Sequence, residues 1–473
     1  TGSRVRPGFE DRFQAKWGGP NIMDRTGWFR EAKFGLFVHW GAYSVAGIEA
    51  SWPIMMPEWF PKVKISEGEY SLLPQKFNPT RFDAMSWVRM AKQAGMRYIV
   101  FTSKHHDGFC MFDSPGTQYK ITRTPYGRDV VGELSEACRM ENIPLGLYYS
   151  PPDMHHPYYR DVSKPPSKNW LGEPSRKEWP LYLNYMEAQL RHLLTAYGPI
   201  AIIWFDGLFK PQIFDPPRFH KLIHTLSPNT LINDRLGLPG DYITPEQFVP
   251  KGIPIKRKKP PPQAPDLVLD VLLEGLKLLT FDQLIEYGSK LLAGSIPTAP
   301  FPAPDEFQLW ETCMTMNNSW GFNPSDKKFK PARTLIRNLV EVASRGGNFL
   351  LNVGPTPEGT IQSEFLERLQ RVGEWMRINA ESIYGTTYGP LQDVSFARTT
   401  AKGGVTYLHI FDWPGATIEL KGSPSKVTEV TLLAGGKPLG FRQSGGWLRI
   451  DLPKEAPDPD VSVLAIRCGT PSA

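Results

Sequence analysis

Arg97-Tyr98-Ile99-Val100-Phe101-Thr102-Ser103-Lys104-His105-His106-Asp107 passes from an apolar run straight into a cluster of imidazoles and charges. An apolar run this long, after a helix-like pattern from Trp87 to Ala94, reads as a strand buried on both faces. The same unit recurs along the chain. A helix near Val130 to Met140 precedes a strand at Pro144 to Tyr149, and a helix near Leu181 to Tyr197 precedes Ile200 to Phe205. A helix near Arg218 to Leu226 leads to Leu231-Ile232-Asn233, and one near Ala332 to Ser344 leads to Asn348 to Val353. Phe34 to His39 reads as the first strand. Strands alternating with helices mean βα units, and the series predicts an α/β fold, a (β/α)8-like TIM barrel of about eight units.

The polar residues fall where such a barrel needs them. Val38-His39-Trp40, Thr102 to Asp107, Tyr149-Ser150 and Trp204-Phe205-Asp206 each lie just past an apolar strand. Active sites of these barrels form at the C-terminal strand ends. After about residue 390 the pattern changes to short alternating strands with Gly and Pro turns: 405–411, 417–420, 427–433, 447–452 and 461–466. These predict a small antiparallel β-sandwich. The expected organisation is therefore a barrel domain over 1–390 and a sandwich domain over 391–473. Within the barrel, 251–305 reads as an insertion: a basic, Pro-rich stretch, then an apolar helix-like segment from Leu267 to Leu292. A lid, an oligomer contact and a surface insertion all fit it. Its stripe of Leu267, Leu272, Leu276 and Leu279 favours packing against something.

Composition narrows the chemistry. With 41% hydrophobic and 22% charged residues the chain is an ordinary globular one. Its 14 Trp suit either a large aromatic core or a pocket for sugars, whose C–H faces stack on rings. A net charge of +6 is slight for 473 residues, and the one dense basic run, Lys256 to Lys259, is followed at once by prolines. That reads as a solvated loop, so no nucleic-acid partner is expected. No apolar run long enough for a membrane span exists. Cys110, Cys138, Cys313 and Cys468 are widely spaced and give neither a metal signature nor a disulfide framework.

Ile202-Ile203-Trp204-Phe205-Asp206-Gly207 presents an acid directly after a buried strand, where a carboxylate could attack an anomeric carbon. A helix N-cap is the competing reading of Asp206. Lys104 to Phe109 offers two imidazoles with a Lys and an Asp, suitable partners for sugar hydroxyls. His155-His156 and His39 add further imidazoles, but neither His pair has the spacing of a helical metal site, so no metal is expected.

Read together, Trp28 to Gly41, Lys104 to Phe109, Trp204 to Gly207, Trp310 to Cys313 with Ser319 to Phe322, and Gly346 to Pro355 resemble glycoside hydrolase family 29, the α-L-fucosidases. The resemblance runs in order from about residue 22 to 390, and a C-terminal sandwich also suits that family. It implies a retaining exo-α-L-fucosidase that uses no metal or organic cofactor and acts on fucosylated oligosaccharide, polysaccharide or glycoprotein glycans. Asp206 then carries over as the nucleophile. His39, His105 and His106 carry over as fucosyl ligands, and Trp52, Tyr149, Trp204, Arg235 and Trp320 as pocket walls or partners. For each aromatic, core packing competes with substrate contact. Glu246, in Gly240 to Gln247, is the implied general acid/base; Glu311 is its rival, with Asp241 and Glu49 behind. A silent sugar-binding protein, a metal-dependent barrel hydrolase and an α-L-galactosidase are the alternatives. A homo-oligomer and a secreted or periplasmic full-length form complete the expectations.

Overall fold

A computed structural model describes residues 24–161, 163–164, 172–174, 176–207, 211–257, 296–391, 394–421 and 426–469. Seven parallel strands form one curled sheet: β1 Phe34–Val38, β2 Tyr98–Lys104, β3 Leu145–Tyr149, β4 Ile202–Phe205, β5 Leu231–Ile232, β6 Glu311–Thr315 and β7 Asn348–Val353. Their order across the sheet is β5-β4-β3-β2-β1-β7-β6. Helices Ala84–Gln93, Val130–Glu141, Trp179–Ala196, Pro216–Leu226, Ala332–Ala343 and Ser363–Asn379 accompany them. Two of these helices begin on a capping carboxylate: Asp83 accepts from the Ser86 N–H, and Asp129 from that of Gly132. Such caps each contribute about 1 kcal/mol.

Both faces of the sheet are buried, which is why its strands read as nearly continuous apolar runs. Successive side chains still alternate between two environments. Phe37, Tyr98, Val100, Tyr148, Ile202, Trp204, Tyr242 and Cys313 share the barrel interior. Leu36, Ile99, Phe101, Leu147, Tyr149, Ile203, Phe205 and Leu351 pack outward with the helices. This parity decides which residues can reach the cleft.

Where eight units were expected, seven strands form, and β5 and β6 do not pair with each other. Residues 241–247 lie between them instead. Single parallel bridges join Asn233 to Tyr242, Ile243 to Trp310, and Glu246 to Cys313. The Asp234 N–H donates to Tyr242 O (3.0 Å) and the Gln247 N–H to Cys313 O (2.9 Å). Pro245 has no N–H to give, so this eighth stave is extended without becoming a regular strand. Glu246 sits on it, beside β6.

The 251–305 segment has a simple base: Ile253–Pro254 pairs antiparallel with Thr298–Ala299, so the chain leaves and re-enters on a two-stranded ribbon. The apolar stripe from Leu267 to Leu292 lies outside the described residues. Beyond the barrel, a six-stranded and a three-stranded antiparallel sheet face each other across Leu408, Ile418, Leu420, Val430, Leu448, Ile450 and Leu464. Arg371 ties them back to the barrel through Asp458 and Asp460 at 2.8 Å. The Trp375 indole adds a bond to Val461 O (2.8 Å). Among the described residues no helix is long and apolar enough to cross a membrane.

Candidate active site

β4 ends at Phe205, and Asp206 follows on the rim with its side chain 18% exposed. Gly207 then turns the chain at φ +79°; a Cβ there would meet the His106 ring at 2.7 Å, so only glycine fits. The N-cap reading of Asp206 falls on residues 208–210, outside the described residues; the described partners of its carboxylate lie on other elements. Oδ1 accepts from Arg235 Nη1 (2.6 Å) and Oδ2 from the Tyr148 hydroxyl (2.9 Å).

Arg235, just past β5, is the centre of the arrangement. Its Nη2 donates to Glu246 Oε2 (2.8 Å), so one guanidinium holds both carboxylates. Its Nε donates to Thr244 Oγ1 (3.0 Å), and its Cζ lies over the Trp204 ring, 4.7 Å from the ring centre. A guanidinium fixed on four sides sets the spacing of the two acids. It lowers the proton affinity of both, and their surroundings then separate the two. Burial raises the Asp206 pKa, but Arg235, His106 and the hydrogen bonds from Arg235 and Tyr148 outweigh it, and the net direction is down. Burial also raises Glu246, Arg235 opposes this, and the Asp206 charge adds to the rise; the net direction is up. Two neighbouring carboxyls whose proton affinities differ in this way can serve as an acid and a base.

The imidazoles form one wall. His39, His105, His106 and Tyr148 lie mutually close, with His105 stacked on Tyr148 at 5.4 Å and tilted against His106 at 4.2 Å. Burial lowers His39 and His106 each to about 4 and His105 further, so all three are neutral near pH 7. Their tautomers can be read from their partners. Asn352 Nδ2 donates to Trp320 O (2.8 Å), which turns its Oδ1 towards His39 Nδ1 at 2.7 Å. His39 therefore carries its proton on Nδ1. Ser150 Oγ donates to Pro152 O (2.8 Å) and so accepts from His106 Nδ1 (2.6 Å). His106 Nε2 is left as an acceptor, fully buried without a hydrogen-bond partner among the described residues, 3.8 Å from Asp206 Oδ2. Ser51 Oγ holds His105 Nδ1 at 2.5 Å.

Trp320 lies 4.9 Å from His39, and Trp52 packs edge-on to His106 at 5.1 Å. Trp204 stacks on Tyr148 at 5.7 Å. Tyr149, chosen from the sequence as a pocket wall, is carried elsewhere by the structure. Its hydroxyl donates to Gln189 (2.7 Å) in the outer layer, because it has the opposite parity on β3. Tyr148 pairs with Trp204 in register and takes the inward place. Tyr148 and Asn352 were therefore missed by sequence reasoning. The register between neighbouring strands, once Trp204 was taken as inward, was the signal that could have found Tyr148.

Glu311, the rival acid, is fully buried under the site on β6. It accepts from the Trp204 indole (2.9 Å) and from the Tyr98 hydroxyl, and burial raises its pKa to about 7. It underpins Trp204 from beneath the cleft. Asp241 is committed to Arg25 and the Ile232 N–H, and Glu49 accepts from the Trp320 N–H (2.7 Å). Among the described residues no group of three metal-ligating side chains converges.

Known proteins share this architecture. The family model described as alpha-L-fucosidase matches residues 5–260 and 296–381. Tissue alpha-L-fucosidase of Bos taurus is 29% identical over 94% of this chain and 88% of its own length. Alpha-L-fucosidase isoenzyme 1 of Paenibacillus thiaminolyticus is 32% identical, with a TM-score of 0.77 over 95% of this chain and all of the other. A Thermotoga maritima alpha-fucosidase, solved with a mechanism-based inhibitor, is 26% identical with a TM-score of 0.72, over 93% of this chain and 96% of its own. The family match skips 261–295, between the two arms of the ribbon. With the family model covering well over half its length, the chain belongs to the α-L-fucosidase family of glycoside hydrolases.

Proposed function

We propose that this chain removes terminal α-L-fucosyl groups from glycans with retention of configuration, with Asp206 as nucleophile and Glu246 as general acid/base. The observation that carries this reading is the Arg235 guanidinium bonded to both carboxylates, one with its pKa lowered and the other with it raised. Retaining glycosidases need two carboxyls about 5 Å apart, one ionised and one protonated.

In the first step Asp206 bonds to the anomeric carbon while Glu246 gives its proton to the departing glycosidic oxygen. In the second, Glu246 takes a proton from water, the water oxygen bonds to the anomeric carbon, and the ester to Asp206 breaks. Arg235 and Tyr148 withdraw electron density from Asp206, which makes it a weaker base and a better leaving group for the second step. The neutral imidazoles of His39, His105 and His106 suit sugar hydroxyls, and the buried acceptor His106 Nε2 gains a donor when a hydroxyl arrives. The rings of Trp52, Trp204 and Trp320 suit the sugar's apolar face.

The test is chemical rescue. Asp206→Gly should lose turnover of aryl α-L-fucoside while folding normally, and azide should restore it, giving the β-fucosyl azide. Near-normal turnover in Asp206→Gly without azide would overturn the assignment.

A further inference from the structure

The cleft uses His105 and His106 but leaves the second pair, His155-His156, without a task. That pair lines a separate pocket of about 310 Å³ on the same C-terminal rim, between the loops that follow β2 and β3. Gly108, Thr117, Gln118, His155, His156 and Tyr158 form its wall. We propose that this pocket is a subsite for a pyranose ring of the glycan remote from the bond that is cut; the proposal rests on the glycosidase reading of the neighbouring cleft.

The pocket is built on a buried foundation. Lys104 Nζ meets Asp153 Oδ2 at 3.3 Å, with both side chains almost fully enclosed. Asp153 Oδ1 accepts the backbone N–H groups of His155 (3.1 Å) and His156 (2.9 Å) and so fixes the loop that carries them. Gly108 lets the β2 loop close over this carboxylate; a Cβ there would lie 2.0 Å from Asp153 Oδ1. The Met154 N–H donates to His106 O (2.8 Å), which fastens the pocket's loop to the segment that supplies the cleft. A desolvated ion pair is costly, and it is retained where it specifies a geometry.

The lining is the chemistry of sugar recognition. His155 lies flat on Tyr119, 3.9 Å between ring centres and 4° from parallel. His156 packs against Tyr185 at 4.4 Å, and Tyr158 stands 37% exposed at the mouth. The Tyr158 N–H donates to His156 Nδ1 (3.2 Å), so the neutral ring carries its proton on Nε2 as a donor. Flat rings with neutral hydrogen-bonding groups suit the apolar face and hydroxyls of a pyranose. Asp153, which reaches the lining, is paired with Lys104 beneath it. Placement beside the cleft, on the rim where a substrate glycan must enter, identifies the ring as part of that glycan.

The experiment is calorimetric titration of the whole protein with lactose and with N-acetylglucosamine, with and without saturating L-fucose. At least one probe should bind saturably, unaffected by L-fucose. Its binding should weaken about fivefold or more in Tyr158→Ala, which removes a stacking face, and in Thr117→Trp, which fills the space. Aryl α-L-fucoside hydrolysis by both variants should match the unaltered protein. Binding of neither probe, displacement by L-fucose, or undiminished binding in both variants would overturn the proposal. Absence of aryl fucoside hydrolysis in the unaltered protein would instead count against the cleft's assignment.

Discussion

Glu311→Gln separates a buried support from a catalytic acid, and the structure fixes the size of its effect. Glu311 is fully enclosed and its pKa rises from 4.5 to about 7, chiefly through burial. The folded protein therefore keeps a proton that the unfolded chain releases. The stability this proton contributes is fully present below pH 4.5 and is lost as pH rises through about 7. At about 1.4 kcal/mol per pH unit, the gap amounts to about 3 kcal/mol. Glutamine removes the titration: Oε1 still accepts from Trp204, and the amide that replaces the acceptor of the Tyr98 hydroxyl adds an offset that does not vary with pH. The assay is urea unfolding across this pH range, followed by tryptophan fluorescence, for the variant and the unaltered protein. His39 and His106, lowered to about 4, make stability rise with pH over part of the same range. Taking the difference between the two proteins removes that background. Relative to the unaltered protein, the variant should gain about 3 kcal/mol on passing from pH 4.5 to above 7. Parallel pH profiles would refute the reasoning.

Four further outcomes follow from the same geometry. Glu246→Ala should lose about 10²-fold or more in rate on natural fucosides but far less on a dinitrophenyl fucoside, whose leaving group needs little protonation; Glu311→Ala should show no such contrast. Tyr148→Phe removes one bond to Asp206 and should cost about 1 kcal/mol, a roughly fivefold fall in kcat/KM. Tyr149→Phe, on the opposite face, should leave kcat/KM unchanged. Arg235→Met takes a cation from both acids, so both limbs of the kcat/KM pH profile should move to higher pH; a fixed acid limb would exclude Asp206 as its source.

The barrel was legible because its strands are buried on both faces and stand out as apolar runs. Asn348 to Val353 was read with its observed ends, and Pro144 to Tyr149 within one residue. Strand β6 was not read as a strand. Glu311-Thr312-Cys313-Met314-Thr315 is polar at three of five positions, and its polarity is tolerated because Glu311 and Thr312 find buried partners. The eighth stave escaped for a related reason. Its pairing is spread over single bridges interrupted by Pro245, and no run of β-forming residues marks it. The site was legible wherever a polar residue ended an apolar run, as with His39, His105, His106 and Asp206. It was not legible where a residue's contribution depended on strand parity, which exchanged Tyr148 for Tyr149. It was equally hidden where contributions came from distant segments, as when Asn352 on β7 sets the tautomer of His39.

The central claim is that Asp206 forms the covalent bond to the sugar. A Bacteroides thetaiotaomicron α-L-fucosidase, 25% identical with a TM-score of 0.71 over 96% of this chain and 98% of its own, has been trapped as a covalent intermediate with 2-fluoro-fucosyl fluoride. The same reagent, applied to this protein and followed by proteolysis and peptide mass spectrometry, tests the claim directly. The account expects one fluorofucosyl group per chain, on the peptide carrying Asp206, with none in Asp206→Gly. A label on Glu246, Glu311 or any other carboxylate of an active enzyme would contradict it.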